Sequence, residues 1–116
     1  MIQYANSMKL HDFALIPREA MNELTTRQVI HSGQMTVSRL YLKPGAVVPL
    51  HHHVNEQLSI VLSGRLRLLL GEDEHLIEAG EAAEFSTWTP HWFGAADGPV
   101  ELIMIFGPDG ERSHLH

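Results

Sequence analysis

Hydrophobic and polar side chains alternate along most of this chain, in short runs that close at glycine, proline or aspartate. In the run RLRLLL, Arg65 and Arg67 fall on one side of an extended backbone, with Leu66, Leu68 and Leu70 on the other. That is the period-two signature of a β-strand. Similar runs recur in TTRQVIHSG, MTVSRLYLKPG, QLSIVLSG, EHLIEAG, AAEFSTWTP and VELIMIFGPDG. About seven short strands, with a turn every ~8–12 residues, predict an antiparallel sandwich or barrel. The tracts LSG at 62–64 and GED at 71–73 are expected as hairpin corners. Only PREAMNEL, residues 17–24, suggests a helix, and it is barely two turns long. A parallel α/β fold is disfavoured, because it would need intervening amphipathic helices of roughly 10–15 residues. The C-terminal GPDGERSHLH is polar and turn-rich and is expected to fray.

Length and composition narrow the function classes. At 116 residues the chain can bury one core, and it reads as a single domain over 1–116. The apolar share is 44% and the charged share 19%, an ordinary globular balance. A formal net charge of −6 provides neither a basic footprint for nucleic acid nor a polybasic patch for anionic lipid. There are no cysteines, hence no disulfide framework and no thiolate ligand or nucleophile. The N-terminal stretch has no basic segment followed by a continuous apolar one, so no signal peptide is expected. Uninterrupted apolar stretches reach four or five residues, far below the ~20 that span a bilayer. The expectation is a soluble, cytoplasmic protein that binds neither nucleic acid nor membrane.

Chemistry concentrates in residues 51–57, HHHVNEQ. On a regular strand His51, His53, Asn55 and Gln57 share one face, and His52 points the other way. Two imidazoles side by side suit a metal, whose nitrogen ligands must converge at ~2.0–2.1 Å. A third ligand has to come from another strand, and His91 in TPHWF is the natural candidate. Glu56 replaces Gln57 if the chain bulges by one residue there. His11, His31, His75, His114 and His116 read as structural or solvent-facing.

These residues also fall in a known spacing. Gly45 is followed by five residues, His51 and His53, three residues, Gln57, six residues and Gly64; Gly80 precedes His91 by eleven positions. Fifteen residues, 65–79, separate the two motifs. Over about 35–107 the chain resembles a small single-domain cupin, with short extensions at both ends. It departs from the pattern where Gln57 replaces the usual glutamate, and where Ser86 and Trp88 replace a proline and a glycine. The resemblance implies an all-β, antiparallel double-stranded β-helix, or jelly-roll barrel. It also implies one divalent transition metal inside the barrel near its mouth, held by His51, His53, Gln57 and His91. Homodimerisation is expected on the same ground, and the apolar residues on both faces of QLSIVLSG agree with it.

The ligand types constrain what such a site could do. Three neutral imidazoles and an amide leave a divalent ion its full charge, which strengthens it as a Lewis acid. Nitrogen-rich, thiolate-free coordination suits Fe, Ni, Cu, Zn, Co or Mn. Up to two octahedral positions stay open for a small-molecule substrate, as catalysis requires. Ser59 and Val61 share a face with Gln57 and are candidates to line the pocket. Trp88, Trp92 and Phe93 flank His91 and are candidates to wall the mouth, with core or interface packing as the alternative. Arg39 and Tyr41 share a strand face and could meet a substrate carboxylate or hydroxyl, with simple solvation as the alternative. No catalytic base is assigned.

Three functions stay open. The first is a metal-dependent enzyme performing enolisation, isomerisation or lyase chemistry on a small oxygenated, sugar-acid-like substrate. The second is a dioxygenase similar to quercetin- or diketone-cleaving cupins, and the third a non-catalytic ligand-binding module. HHHVNEQ is similar to the HSHPHxQ of small pectin- and alginate-degradation cupins, which linearise unsaturated uronates. Those commonly end in Asp-x-Phe-Thr/Ser-Pro-x-Arg, where this chain has Met104 through Gly110. A methionine transfers no proton and a glycine holds no carboxylate, so the resemblance supports that substrate only weakly.

Overall fold

The computed structural model describes residues 2–3, 8–50, 57–85 and 91–107. A short ribbon comes first, with β1 (Ile2–Gln3) antiparallel to β2 (Lys9–Leu10). A 3-10 turn at Phe13–Leu15 follows, capped by Asp12, whose carboxylate accepts from the Ala14 N–H at 2.9 Å. The remaining strands are β3 (Glu19–Asn22), β4 (Thr25–His31), β5 (Thr36–Leu42), β6 (Val47–Leu50) and β7 (Gln57–Ser63). They continue with β8 (Arg65–Leu70), β9 (Asp73–Glu78), β10 (Ala82–Phe85), β11 (His91–Ala95) and β12 (Val100–Phe106).

Among the described residues these strands form two antiparallel sheets, ordered β10-β7-β12-β5-β4-β3 and β6-β11-β8-β9. Alternation dictates which side chains meet between them. In β12 the buried residues are Val100, Leu102, Met104 and Phe106, and Glu101, Ile103 and Ile105 between them are partly exposed. From the six-stranded sheet Leu40, Val61 and Leu102 turn inward; from the four-stranded sheet Leu66, Leu68 and Phe93 do so. Burying these aliphatic and aromatic groups, each worth roughly 1.5–3 kcal/mol, closes the two sheets into a jelly-roll barrel.

The outer face of the six-stranded sheet is itself half apolar. Ile30, Val37, Leu58, Ile60, Ile103 and Ile105 are neighbours there by register, and all are half-buried. This is the two-sided apolarity seen in QLSIVLSG. At one end the N-terminal segment covers that face: Gln28 Nε2 donates to the carbonyls of Phe13 and Ile16, at 2.7 Å each.

Two local expectations are corrected. PREAMNEL is not helical; Glu19–Asn22 pairs with β4, and Asn22 turns the corner by accepting from the Leu24 N–H at 2.9 Å. Asparagine favours this side-chain turn over a helix interior, and two turns of helix are too few to stand alone. GED does form a hairpin, with Leu70 opposite Asp73. LSG does not: β7 pairs with β10 and β12, whereas β8 pairs with β9 and β11. Gly64 therefore carries the chain from one sheet to the other. It does so at φ +81°, where an added Cβ would lie 2.2 Å from the Pro99 carbonyl oxygen. Only glycine fits that corner.

Candidate functional site

Strand register lays out the inner wall of the barrel. At one level across β4, β5, β12 and β7, His31 pairs with Thr36, Thr36 with Phe106, and Phe106 with Gln57. The next inner level runs Val29, Ser38, Met104, Ser59, and the third Arg27, Leu40, Leu102, Val61. Directly paired residues share a sheet face. The side chains of these three levels thus belong to a single surface inside the fold.

Gln57 opens β7 and is only 1% exposed, and Ser59 and Val61 beyond it are fully buried. Gln57 Nε2 donates to Ser59 Oγ at 3.3 Å. That contact turns the amide nitrogen along β7 and its carbonyl oxygen away from Ser59. The oxygen is the atom through which an amide ligates a cation. A buried polar side chain held in one orientation by a second buried polar group is the kind of donor a metal site needs.

The second motif arrives through β11. His91 is its first residue, and the Cα register places it opposite Leu50 on one side and Leu70 on the other. Leu50 immediately precedes His51, so the strand of the second motif is laid against the backbone that leads into the first. Two positions along, Phe93 is 1% exposed and packs in the core. His51, His53, Glu56 and Trp88 lie outside the described residues, as does the His91 side chain. Among the described residues no three His, Asp or Glu side chains gather as a metal would require.

The structure separates the other pocket candidates. Phe93 turns inward, but its neighbour Trp92 is 42% exposed on the opposite face of β11, beside Pro49 and Leu69 in register. Adjacent residues on a strand cannot both face the barrel. Arg39 and Tyr41 also fall on the outer face of β5, since Ser38, Leu40 and Leu42 occupy the inner one. Arg39 pairs with Glu101, its Nε 3.0 Å from Oε2. Tyr41 donates its hydroxyl to Gln28 Oε1 at 2.6 Å, and the Arg18 guanidinium stacks 3.6 Å from its ring centroid. These groups bind the N-terminal segment to the sheet and do not meet Gln57.

Residues not offered as pocket candidates by the sequence also lie along the inner wall, among them His31, which is exposed at its end of β4. A cavity of about 80 Å³ lies against the inner wall, lined by Arg27, His31, Ser38, Val48, Met104 and Phe106, among others. Alternation within TTRQVIHSG could have placed Arg27 and His31 on one face, but not told that this face is the inner one. Met104 is 3% exposed and presents a thioether where an ionisable group would be needed to move a proton.

Comparison with known proteins agrees with this architecture. Residues 38–106 match the family model of the cupin domain, Cupin_2. KdgF from Halomonas sp. superposes with a TM-score of 0.78 at 18% identity, covering 88% of this chain and 94% of that one. The polyketide cyclase RemF from Streptomyces resistomycificus gives 0.76 at 18% identity, over 89% and 81%. The Fe(II) form of HppE gives 0.77 at 14% identity, over 90% of this chain and 62% of that one. No curated protein sequence matches the chain. Among the described residues no helix is long and apolar enough to cross a membrane.

Proposed function

Because the chain belongs to the cupin domain family, we propose that it is a metal-dependent enzyme acting on a small oxygenated substrate inside the barrel. The observation that carries this reading is the buried Gln57 amide, fixed by Ser59 at the start of β7. A neutral glutamine shut away from water costs free energy unless its polar atoms find partners. Anchoring by its nitrogen leaves the oxygen for a cation. In this reading His51 and His53 share the site with Gln57. His91, the first residue of β11, is the remaining ligand of this reading.

Bound there, a divalent ion of Fe, Ni, Cu, Zn, Co or Mn supplies Lewis acidity that polarises a substrate carbonyl. The chain's own residues then define the pocket. Gln57 contributes no charge to neutralise the ion. Phe93, Met104 and Phe106 keep water out. Ser38 and Ser59 offer hydroxyls that can hold a substrate oxygen. Met104 transfers no proton, which favours enolisation or isomerisation assisted by the ion over uronate ring opening by a carboxylic acid at that position. The outer face of the six-stranded sheet is half-buried and aliphatic, and pairing of two copies across it belongs to the same reading.

The decisive experiment is elemental analysis of protein purified without a nickel column, for the wild type and for His51→Ala and His91→Ala. About one equivalent of metal in the wild type, reduced at least tenfold in both variants, is expected. Full metal retention in both variants ends the proposal. A substrate screen of uronates and diketones, run with and without air, then decides the chemistry. Turnover that needs O₂ identifies the dioxygenase instead. Sedimentation at micromolar concentration checks the pairing, and a single-chain mass removes it.

A further inference from the structure

The inner face of β4 carries a cation that the metal reading does not use. Arg27 and His31 lie on the side of that strand that meets Leu40 and Thr36 in register, and both line the cavity where it opens to solvent: the Arg27 side chain is 37% exposed and His31 is exposed. Arg27 is held by one partner among the described residues. Its Nε and Nη2 lie 2.8 and 2.7 Å from the same Glu19 oxygen, Oε1. Glu19 stands on β3, the edge of the sheet, and its side chain is 62% exposed. Such a pair is weak and exchangeable in water. His31 Nδ1 is 3.2 Å from Thr36 Oγ1, which sets the ring against the cavity wall.

The cavity therefore has two unlike sides. Arg27, His31, Thr36 and Ser38 form a polar wall, faced by Leu40, Val48, Met104 and Phe106. A guanidinium offers a planar fork of donors that matches a carboxylate, and it keeps its charge at any physiological pH. In a chain of net charge −6, an anion is drawn inside only by such a local cation. The volume of about 80 Å³ has room for roughly six water-sized groups. An acid of two to four carbons fills it. His31 stands level with Gln57 across three strand spacings, about 14 Å along the curved sheet. Arg27 stands two inner levels further along β4, level with Val61, so an acid of this size held by Arg27 lies apart from Gln57.

We propose that Arg27, in the cavity it lines with His31, Thr36 and Ser38, is the carboxylate-recognition point of the barrel, and that the ligands of this protein are small organic acids whose carboxylate displaces Glu19 from the guanidinium. This rests on the barrel interior being the functional site but does not depend on a metal.

The test is titration of the ¹⁵N-labelled full chain with pyruvate and with its neutral isostere pyruvamide, both as purified and after EDTA treatment. Pyruvate is expected to shift resonances of residues 27–38 and 104–106 in both samples, and pyruvamide to bind at least tenfold more weakly. Arg27→Gln should weaken pyruvate at least tenfold. Glu19→Gln removes the competing carboxylate and should tighten it severalfold, an opposite effect that a merely structural role for the pair does not produce. Equal binding of acid and amide, unchanged affinity in Arg27→Gln, or weaker affinity in Glu19→Gln overturns the proposal. Binding abolished by EDTA also overturns it, because the carboxylate then sits on the metal. Binding that survives EDTA in a protein whose histidine variants show no metal site sustains it, while the metal reading falls.

Discussion

Gln57 donates its side-chain amide N–H to the hydroxyl oxygen of Ser59, 3.3 Å away, and both residues are shut from solvent on the inner face of β7. The i, i+2 spacing makes this possible, because alternate residues of a strand share a face. Ser59→Ala should leave a buried donor unsatisfied and lower stability by about 1–3 kcal/mol. It should also free the amide to rotate and weaken metal binding by roughly 10–100-fold. Denaturant titration and calorimetric metal titration read the two effects separately. Unchanged metal affinity with lowered stability would make Ser59 a packing residue only.

Restoring a carboxylate tests the neutral amide from the other side. In Gln57→Glu the Ser59 hydroxyl can donate to the new side chain, so the anchoring contact is kept. Tighter metal binding is expected, together with a stability that depends on metal, because an uncompensated buried carboxylate is costly. The melting temperature of this variant should therefore fall further on EDTA treatment than that of the wild type. Equal falls would count against a cation beside residue 57.

The strands on either side of HHHVNEQ disagree about which histidines face inward. Val48 is buried and Val47 is 52% exposed, so even-numbered residues of β6 point in. Gln57, Ser59 and Val61 are buried in β7, where the odd-numbered ones do. With Gln57 among the proposed ligands, the odd-numbered histidines of the motif are the ones expected beside it. His51→Ala and His53→Ala should then each lose metal and His52→Ala retain it. Loss confined to His52→Ala would reassign the ligand.

Arg39 and Tyr41 should matter for stability but not for the interior. Arg39 and its partner Glu101 are 29% and 26% exposed, and the arginine also lies 5.3 Å from the centre of the Phe13 ring. Arg39→Ala is expected to cost about 1 kcal/mol, and Tyr41→Phe a similar amount through the lost bond to Gln28. Metal content should be unchanged in both. A drop in metal content would bring this outer face into the site after all.

What the sequence revealed, and what it hid, follows from the physics of alternation. Period-two runs such as RLRLLL are local, so most strands could be read directly. The spacing of Gly45, His51, His53, Gln57 and Gly64 was also legible, because it lies within twenty consecutive residues. Which of two faces becomes the inside is decided by partners far along the chain. Hence the sequence offers Arg39 and Tyr41, which share one face of β5, for a pocket, whereas it passes over Arg27 and reads His31 as structural or solvent-facing. Trp92 and Phe93 looked alike for the same reason, until register placed them on opposite sides of β11. The LSG corner misled because a glycine turn leads equally well back along one sheet or across to another.

That corner gives the sharpest stability test. Gly64 has φ +81°, and a Cβ there would stand 2.2 Å from the Pro99 carbonyl oxygen and 3.1 Å from the Val100 Cα. Gly80 has a similar φ, +91°, but nothing within 4 Å of an added Cβ. Both Gly→Ala variants incur the left-handed backbone cost, about 1–2 kcal/mol, partly offset by roughly 0.4–1 kcal/mol of reduced freedom in the unfolded chain. Only Gly64→Ala adds a clash with backbone that cannot move without separating β12 from β7. Gly80→Ala should therefore lower the urea midpoint slightly, and Gly64→Ala should remove more than ~3 kcal/mol or prevent folding. Equal losses in the two would mean that the close approach at Pro99 is not what confines residue 64 to glycine.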